Sequence, residues 1–319
     1  MKPPFEISDQ TFELIGRIER LLGRYEGLHS PRPLPRLRRL HRVRTIHDSL
    51  AIEGNTLSLE QATTVLEGKR IAAPFRDIQE LKNANQAYER LSSWKPYSVS
   101  DFLKAHAVIL DGLLDSAGRW RSGSVGIARG DQITHVAPPA DRVNGLMQDL
   151  LKFARSDSHP MLVRSAVVHY EIEVIHPFED GNGRMGRLWH TLLLHHYHPA
   201  FEFVPVESVI RERQQDYYDV LGACDRAGNS SAFIDFGISA VEAALQRFLD
   251  NLQMEPITQS HRLKIAAQRF AKREFTRKDY LALFPNLSTA TASRDLRKGI
   301  EVGRFLKQGE KALTRYRVS

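Results

Sequence analysis

The residues best placed for chemistry occupy one segment, which runs from His176 to Arg187 and reads His-Pro-Phe-Glu-Asp-Gly-Asn-Gly-Arg-Met-Gly-Arg. An apolar stretch ending at Val174-Ile175 precedes it, so one helix is expected to end there and another to begin after the glycines. Glycines let backbone N–H groups turn inward and approach a ligand closely. Such groups at the start of a helix favour a phosphate. The segment therefore predicts a turn that binds a phosphorylated ligand.

Four side chains of this segment suit chemistry on a phosphate. His176 can accept a proton from an attacking hydroxyl near neutral pH. Asp180 offers a hard oxygen ligand that suits Mg²⁺ beside phosphates. Arg184 and Arg187 are three residues apart, so they lie on one helix face and can contact different phosphates. Each feature alone is commonly structural, but a base, an acid and two arginines in this order indicate an active site for a phosphate-containing substrate.

The segment resembles the Fic motif, His-x-Phe-x-(Asp/Glu)-Gly-Asn-Gly-Arg-x-x-Arg, which it matches at every specified position. The resemblance implies that His176 is the general base for a Ser, Thr or Tyr hydroxyl, that Phe178 anchors the loop, and that Asp180 binds Mg²⁺. It also implies that the α- and β-phosphates of ATP are held by Gly181, Asn182, Gly183 and Arg184, and the γ-phosphate by Arg187. The expected enzyme is a protein adenylyltransferase, which moves AMP from ATP to a protein and releases pyrophosphate. Doc-type kinases have a different glycine loop, so the intact motif favours AMP transfer.

A second pattern, Ser49-Leu-Ala-Ile-Glu53-Gly54, lies upstream and resembles the family's inhibitory sequence, (Ser/Thr)-x-x-x-Glu-(Gly/Asn). The resemblance implies that Glu53 pairs with Arg187 and repels the γ-phosphate, so that ATP binds unproductively. Ser49 is one helical turn from Glu53 and can steady it. The enzyme is therefore expected to be autoinhibited. An alternative use of the same site is the removal of AMP, with Glu53 orienting water.

Residues 118–139 alternate apolar with polar or small residues around a turn signal at residues 129–131, which predicts a β-hairpin from Gly118 to Pro139. Fic proteins have a hairpin flap that pairs with the target segment by strand addition. The resemblance therefore implies target contacts from Thr134, His135, Val136 and Ala137. A purely structural hairpin is the alternative. Further along the chain, the resemblance implies ATP contacts near the adenine from Tyr217, Tyr218 and Asp225, with core packing as the alternative.

The remaining pattern predicts a mainly α chain: a Fic-type helical bundle with the hairpin flap, followed by a small C-terminal winged-helix domain. Helical spacing of apolar residues is found at 8–25, 38–52, 77–94, 99–113, 142–153, 160–174, 183–196, 210–224 and 231–253. Three helices and two strands are expected after a linker at 254–260. The expected domains are an N-terminal helical region with the inhibitory helix at 1–95, the Fic core at 96–253, and the winged helix-turn-helix at 258–319.

Positive charge is concentrated in the tail of the chain. From Thr258 onward there are 15 Lys/Arg and 5 Asp/Glu, a net charge of +10, so the rest carries −3 of the total +7. The third expected tail helix and the wing carry Arg294, Arg297, Lys298, Lys307, Lys311, Arg315 and Arg317. Residues of this kind in winged helices contact base edges and phosphates, so DNA is one expected partner. A protein-docking or dimerising module is the alternative.

Composition excludes several other classes. No run of ~18 apolar residues occurs, so no membrane span is expected, and the N-terminus lacks the apolar centre of a signal peptide. The single cysteine, Cys224, excludes an intramolecular disulfide and suits the reducing cytoplasm. Two hypotheses follow. One is a cytoplasmic adenylyltransferase that uses ATP and Mg²⁺ on a protein substrate, as a monomer or a homodimer. The other is a DNA-binding transcriptional regulator whose Fic core senses nucleotide or modifies itself.

Overall fold

The computed structural model describes residues 3–28, 35–129, 132–254, 258–271, 273–284, 287–310 and 314–319. These residues form two compact units, and the chain passes from the first to the second between Asp250 and Asn251. No helix among the described residues has the length and apolar character needed to cross a membrane. The finer division of the first unit at residues 95 and 96 stays a prediction.

Helices account for most of the first unit. In chain order they are α1 (Asp9–Glu26), α2 (Pro35–Ile52), α3 (Leu59–Leu66), α4 (Phe75–Glu89), α5 (Val99–Ile109), α6 (Ala140–Arg155), α7 (Met161–Ile175), α8 (Asn182–Tyr197), α9 (Val206–Glu212), α10 (Gln214–Ala227) and α11 (Ser231–Met254), the last of which extends past the division between the units. Short 3₁₀ helices occupy Leu91–Ser93 and Pro199–Glu202. One antiparallel hairpin joins β1 (Gly126–Arg129) to β2 (Gln132–Val136). This architecture confirms the expected mainly helical fold with a small hairpin.

The centre of the unit is the pair α7 and α8. Helix α7 is buried on all its faces from Leu162 to Ile172, as expected for a helix that is apolar all round. Helix α8 packs against it, with Trp189 fully buried. A Cβ at Gly186 would lie 2.9 Å from the ring of His169, so glycine permits this close approach. The two helices therefore form a rigid support for the loop that connects them.

Some element boundaries differ from the sequence prediction. The hairpin is shorter than expected, because its first strand begins at Gly126 and not near Gly118. The expected helix 210–224 is two helices, since the backbone breaks at Arg213 between α9 and α10. The expected helices 77–94 and 99–113 end earlier, at Glu89 and Ile109. The backbone leaves the helical conformation directly after these two helices, at Arg90 and Leu110.

The second unit contains α12 (Gln259–Arg269), α13 (Arg277–Leu283), α14 (Thr289–Glu301), β3 (Phe305–Gln308) and β4 (Arg315–Val318), with β3 and β4 antiparallel. Its aromatic core includes Phe270, Phe275 and Phe305. The carboxylate of Asp295 on α14 is buried and accepts hydrogen bonds from Arg262 and Tyr280. Three helices followed by a hairpin is the expected order, and the winged-helix assignment itself stays a prediction. Lys311 lies outside the described residues.

Candidate functional site

His176 lies between α7 and the loop that leads to α8. Its backbone is left-handed, with φ 49° and ψ 61°, and its N–H ends α7 by donating to the carbonyl of Ile172. A residue with a Cβ loses roughly 1–2 kcal/mol in this conformation, so surrounding contacts must hold it. Nδ1 lies 3.3 Å from the carbonyl oxygen of Glu173, which can only accept. Nδ1 therefore carries the proton of the neutral ring, and Nε2 is the basic nitrogen.

The loop is fixed on its inner side by Phe178, whose ring is fully buried. Asn182 holds the backbone of Phe178, since its amide accepts from the N–H and donates to the carbonyl, both at 2.9 Å. The imidazole of His106 stacks on the same ring with the centroids 3.5 Å apart. His106 accepts from the N–H of Gly118 and therefore donates through Nε2 to the carbonyl of Asp180. Burial lowers the pKa of His106 to about 4, so this ring is neutral.

Two glycines shape the start of α8. Gly181 has φ 83°, and a Cβ there would come within 2.6 Å of Leu110. Gly183 lies so close to the carboxylate of Glu53 that a side chain at this position would collide with it. The N-terminus of a helix favours anions. In this structure the Glu53 carboxylate lies at the place where the sequence predicts a phosphate.

Arg187 joins this helix to the segment that carries Ser49 and Glu53. Its Nη2 lies 2.7 Å from Oε1 of Glu53 and 2.9 Å from the carbonyl oxygen of Ser49, while Nε lies 3.0 Å from Oγ of Ser49. The guanidinium is 1% exposed and the carboxylate 33%. Burial alone would lower the pKa of Arg187, but the negative charge of Glu53 and its neighbours raises it. Helix α2 ends at Ile52, directly before Glu53, and the next residue, Gly54, has a left-handed backbone with φ 90°.

Arg184 takes a different direction from Arg187. Its guanidinium is buried against α4, where Nη1 lies 3.1 Å from Oε1 of Glu80 and Nη2 lies 2.9 Å from Oδ1 of Asp180. Arg76, also on α4, contacts both Glu80 and Asp180. The sequence expectation that Arg184 and Arg187 both face the phosphates is therefore not what this structure displays. Glu80 and Arg76 were not singled out from the sequence, because nothing local connects them to the loop about 100 residues away.

Asp180, the predicted Mg²⁺ ligand, has an ionised carboxylate. Burial raises the pKa of its carboxyl, but Arg184, the N–H of Gly181 and Arg76 outweigh burial and lower it, so the group is ionised. Mg²⁺ is commonly bound by one or two carboxylates together with substrate phosphates and water. Within the described ranges no cluster of three or more His, Cys, Asp or Glu side chains could hold a metal. An ion here would depend on phosphates for most of its ligands.

A cavity of about 580 Å³ lies over the loop. Among the residues that line it are His176, Asp180, Gly181, Asn182, Gly183, Arg187 and Glu53, together with Tyr217, Tyr218 and Asp225 of α10. The structure therefore brings most of the predicted site residues to one concave surface. A cavity of this size is typical of small-molecule sites, and the N-terminus of α8, which favours anions, opens into it.

The two tyrosines differ in their surroundings. Tyr217 is fully buried, and its hydroxyl lies within hydrogen-bond distance of His169 and Glu173. Tyr218 is half-buried and its hydroxyl donates to the carbonyl of Ile52 at 3.1 Å. Tyr218 is thus better placed than Tyr217 to present a ring face to a ligand. The contacts of Tyr217 agree with the alternative of core packing.

Glu173 is a cavity residue that sequence reasoning missed. Burial raises the pKa of its carboxyl to about 7, while Arg187 opposes the rise and Glu53 adds to it. Glu173 is three residues before His176, so the spacing of one helical turn was a signal that could have identified it. A carboxyl whose pKa is raised by burial therefore lies in the same cavity as His176 and Arg187.

The hairpin lies beside α10, since β2 contacts that helix. Its register pairs Gly126 with Val136, and a bulge separates Ile127 from Ala128. The side chain of Val136 is 75% exposed, whereas Ala137 is buried. Thr134 and His135 belong to β2, and their side chains lie outside what the structure describes. Whether this segment binds a target stays a prediction.

Comparisons with known proteins agree with this geometry. Residues 96–194 match the Fic/DOC family. A protein adenylyltransferase fic-1 of Caenorhabditis elegans is 27% identical over 250 residues, which cover 74% of this chain and 47% of that protein. A protein adenylyltransferase Fic of Drosophila willistoni is 30% identical over 220 residues, 64% of this chain and 41% of that protein. This chain thus matches about half the length of these curated relatives.

Solved structures extend the similarity beyond the central segment. The crystal structure of a Fic family protein from Desulfovibrio desulfuricans G20 is 39% identical in sequence and has a TM-score of 0.77. That match covers 100% of this chain and 98% of the other. A fragment of Fic-1 from C. elegans, 24% identical with a TM-score of 0.63 over 76% of this chain, shares the fold. The likeness therefore includes the helices on both sides of the loop.

Proposed function

This chain belongs to the Fic family, and we propose that it is a protein adenylyltransferase that transfers AMP from ATP to a protein hydroxyl and is restrained by Glu53. One observation carries the proposal. The cavity that exposes His176 also contains the helix N-terminus and Arg187, and the Glu53 carboxylate occupies both of these anion sites. A ligand that replaces this carboxylate must itself be anionic, as the γ-phosphate of ATP is.

The chemistry follows from the orientation of His176. The target hydroxyl attacks the α-phosphorus in line and loses its proton to Nε2, because Nδ1 already donates to the carbonyl of Glu173. The bond from the α-phosphorus to the bridging oxygen breaks, and pyrophosphate leaves. The N–H groups at the start of α8 and the guanidinium of Arg187 stabilise the negative charge that develops. Mg²⁺ bound by Asp180 would neutralise further phosphate charge.

The remaining contacts of ATP are assigned to residues around the cavity. The N–H groups of Gly181, Asn182 and Gly183 would hold the α- and β-phosphates. The ring of Tyr218 would lie against the adenine, with Asp225 near the nucleoside and Tyr217 supporting the wall. Arg184 would bind a phosphate only after it breaks its ion pair with Glu80 or with Asp180. The pair with Asp180 would be exchanged more easily, because the phosphate would lie beside that carboxylate. Mg²⁺ bound at Asp180 would replace the positive charge that this carboxylate loses when Arg184 moves away.

The target protein would add a strand to the hairpin. Residues 134–136 belong to β2, which lies beside the helix that lines the cavity, and Ala137 follows directly. A segment paired with this stretch would carry its hydroxyl toward His176. Backbone pairing gives affinity with little dependence on side chains. The identity of the target would then depend on surfaces outside this strand.

The test uses the Glu53→Gly variant with ATP labelled at either the α- or the γ-phosphorus. Transfer of AMP places the α-label on protein and none of the γ-label. The same variant carrying His176→Ala is the matched control and should remain unlabelled. Labelling from γ-labelled ATP alone would identify a kinase, and no labelling of the variant or of lysate proteins would contradict the proposal.

The second unit supports an additional candidate function, binding to DNA. Its α14 exposes Arg294, Arg297 and Lys298, while Asp295 on the same helix is buried. Exposed Glu301 at the end of α14 pairs with Lys298 at 3.2 Å, so Arg294 and Arg297 carry the argument. Exposed Lys307 on β3 adds to the positive charge of the unit. A gel shift with duplex DNA that weakens steeply as salt rises would support this function. Binding that is unchanged by Arg294→Ala and Arg297→Ala together would contradict it.

A further inference from the structure

Arg121, beside the loop between α7 and α8, is less exposed than every other arginine described above except Arg187. Its side chain is 2% exposed. Nε lies 2.8 Å from the carbonyl oxygen of His176, and Nη1 lies 2.8 Å from that of Gly123. Nη2 donates to the carbonyls of Pro138 and Ile175, the second at 3.3 Å. The guanidinium is therefore surrounded by four backbone oxygens.

These four oxygens belong to two separate parts of the fold. Ile175 and His176 form the end of α7, where the proposed base is located. Gly123 and Pro138 flank the hairpin, one before β1 and the other after β2. The N–H of Arg121 also donates to the carbonyl of Pro177 at 3.0 Å, which adds a further bond to the loop. One residue thus connects the loop to both ends of the flap.

Physical chemistry explains why arginine suits this position. The planar guanidinium has five N–H donors in a fixed arrangement and stays charged when buried. Burial lowers the pKa of Arg121, and the partners described for its side chain are all carbonyl oxygens. Two of these carbonyls end a helix, where a positive charge is favourable. Without the guanidinium, these four backbone acceptors would lose a donor, and the contact with the carbonyl of Ile175 is buried.

We propose that Arg121 is a positioning residue that fixes the catalytic base and the target-binding flap relative to each other. The proposal rests on the function proposed above. A hydroxyl carried by a strand on β2 must meet Nε2 of His176, and an error of about 1 Å in such an arrangement can lower a rate by about 100-fold. The bond from Arg121 also supports the left-handed backbone of His176. The partners described for Arg187, Ser49 and Glu53, are not among the partners of Arg121.

The test compares Arg121→Lys with a matched variant in the full-length Glu53→Gly chain. Lysine keeps the charge but has three donors at one atom, so it cannot reach four separated carbonyls. We expect AMP incorporation to fall about 10- to 100-fold. The dissociation constant of a non-hydrolysable ATP analogue should stay within about twofold, since the phosphate contacts are retained. Equal loss of both would overturn the proposal in favour of a general folding role.

Arg164 provides the matched control. It is also buried and also donates to backbone carbonyls, with Nε 2.8 Å from the oxygen of His159 and Nη1 2.6 Å from that of Ala154. These bonds lie at the start of α7, away from the loop. Arg164→Lys should lower stability by a similar amount and leave AMP incorporation unchanged. A loss of incorporation as large as that of Arg121→Lys would overturn the assignment.

A second readout keeps the proposal separate from the function on which it rests. Amide hydrogen exchange would be measured at two bonds, the N–H of His176 to Ile172 and the N–H of Ala137 to Val125. Arg121→Lys should accelerate exchange at both bonds, and Arg164→Lys at neither. Hydrogen exchange could rise at both bonds in Arg121→Lys while the Glu53→Gly chain never incorporates AMP. In that case the proposed function fails, but the link that Arg121 makes between the loop and the hairpin is supported. If exchange at either bond is unchanged, the proposal is overturned.

Discussion

The pair formed by Glu53 and Arg187 allows a quantitative prediction. The exchange Glu53→Gly removes a carboxylate oxygen that lies 2.7 Å from the guanidinium. A hydrogen bond to a charged group contributes about 1.5–3 kcal/mol net, and about 1.4 kcal/mol corresponds to a tenfold change in an equilibrium. If the pair must open before the γ-phosphate reaches Arg187, its removal should raise the rate of AMP incorporation about 10- to 150-fold.

Two features place the expected rise within this range. Glu53 is one-third exposed, so water screens the pair and favours the lower part. Arg187 is almost fully buried, which strengthens the remaining attraction. Glu53→Gln should give a smaller rise than Glu53→Gly, because the amide still fills the space over Gly183 and can accept a hydrogen bond.

The assay is the initial rate of AMP incorporation into the chain itself, followed by intact-mass spectrometry at saturating Mg-ATP. Glu60→Gln, which alters an exposed carboxylate on α3, is the control and should leave the rate unchanged. A rate for Glu53→Gly within twofold of the parent chain, with ATP bound equally well by both, would refute the reasoning.

Three further predictions concern the residues around this pair. In the Glu53→Gly chain, His176→Ala should lower AMP incorporation by at least about 100-fold while the dissociation constant of an ATP analogue, measured by calorimetry, is unchanged; retained activity would remove His176 from the base role. Burial raises the pKa of Glu173 from 4.5 in the unfolded chain to about 7, so its contribution to stability is present below pH 4.5 and is lost as pH rises toward 7. Glu173→Gln should therefore reduce the fall in unfolding free energy between pH 5 and pH 8, measured with urea, by up to about 3 kcal/mol; an identical fall in both proteins would contradict the buried carboxyl. Glu80→Gln should destabilise the chain by about 1.5–3 kcal/mol in urea, because Arg184 and Arg76 each lose a charged partner; a change below about 0.5 kcal/mol would mean that the two arginines do not depend on Glu80.

The loop between α7 and α8 was predictable because its signals are local. A left-handed turn at Gly181 follows from glycine, and the proximity of His176 to the start of α8 follows from the short connection. The position of Glu53 against Arg187 was expected only through the resemblance to the Fic family. The residues themselves do not reveal that two helices more than 100 positions apart in the chain meet at this point.

What could not be predicted depends on packing between distant segments. Arg121 belongs to a stretch of alternating character that indicated a strand, yet its side chain turns into the protein to bind carbonyls of α7. Arg184 has the spacing of a phosphate ligand but is held by Glu80 of α4. Glu173 is near His176 in sequence, and only its burial distinguishes it from a solvent-exposed carboxylate.

The most direct test of the central claim is the structure of the Glu53→Gly chain bound to a non-hydrolysable ATP analogue and Mg²⁺. The γ-phosphate is expected within hydrogen-bond distance of Arg187, the β- and α-phosphates over Gly183, and the α-phosphorus facing Nε2 of His176. A cavity that remains empty after the carboxylate is removed, or a nucleotide bound with its phosphates away from the start of α8, would contradict the account.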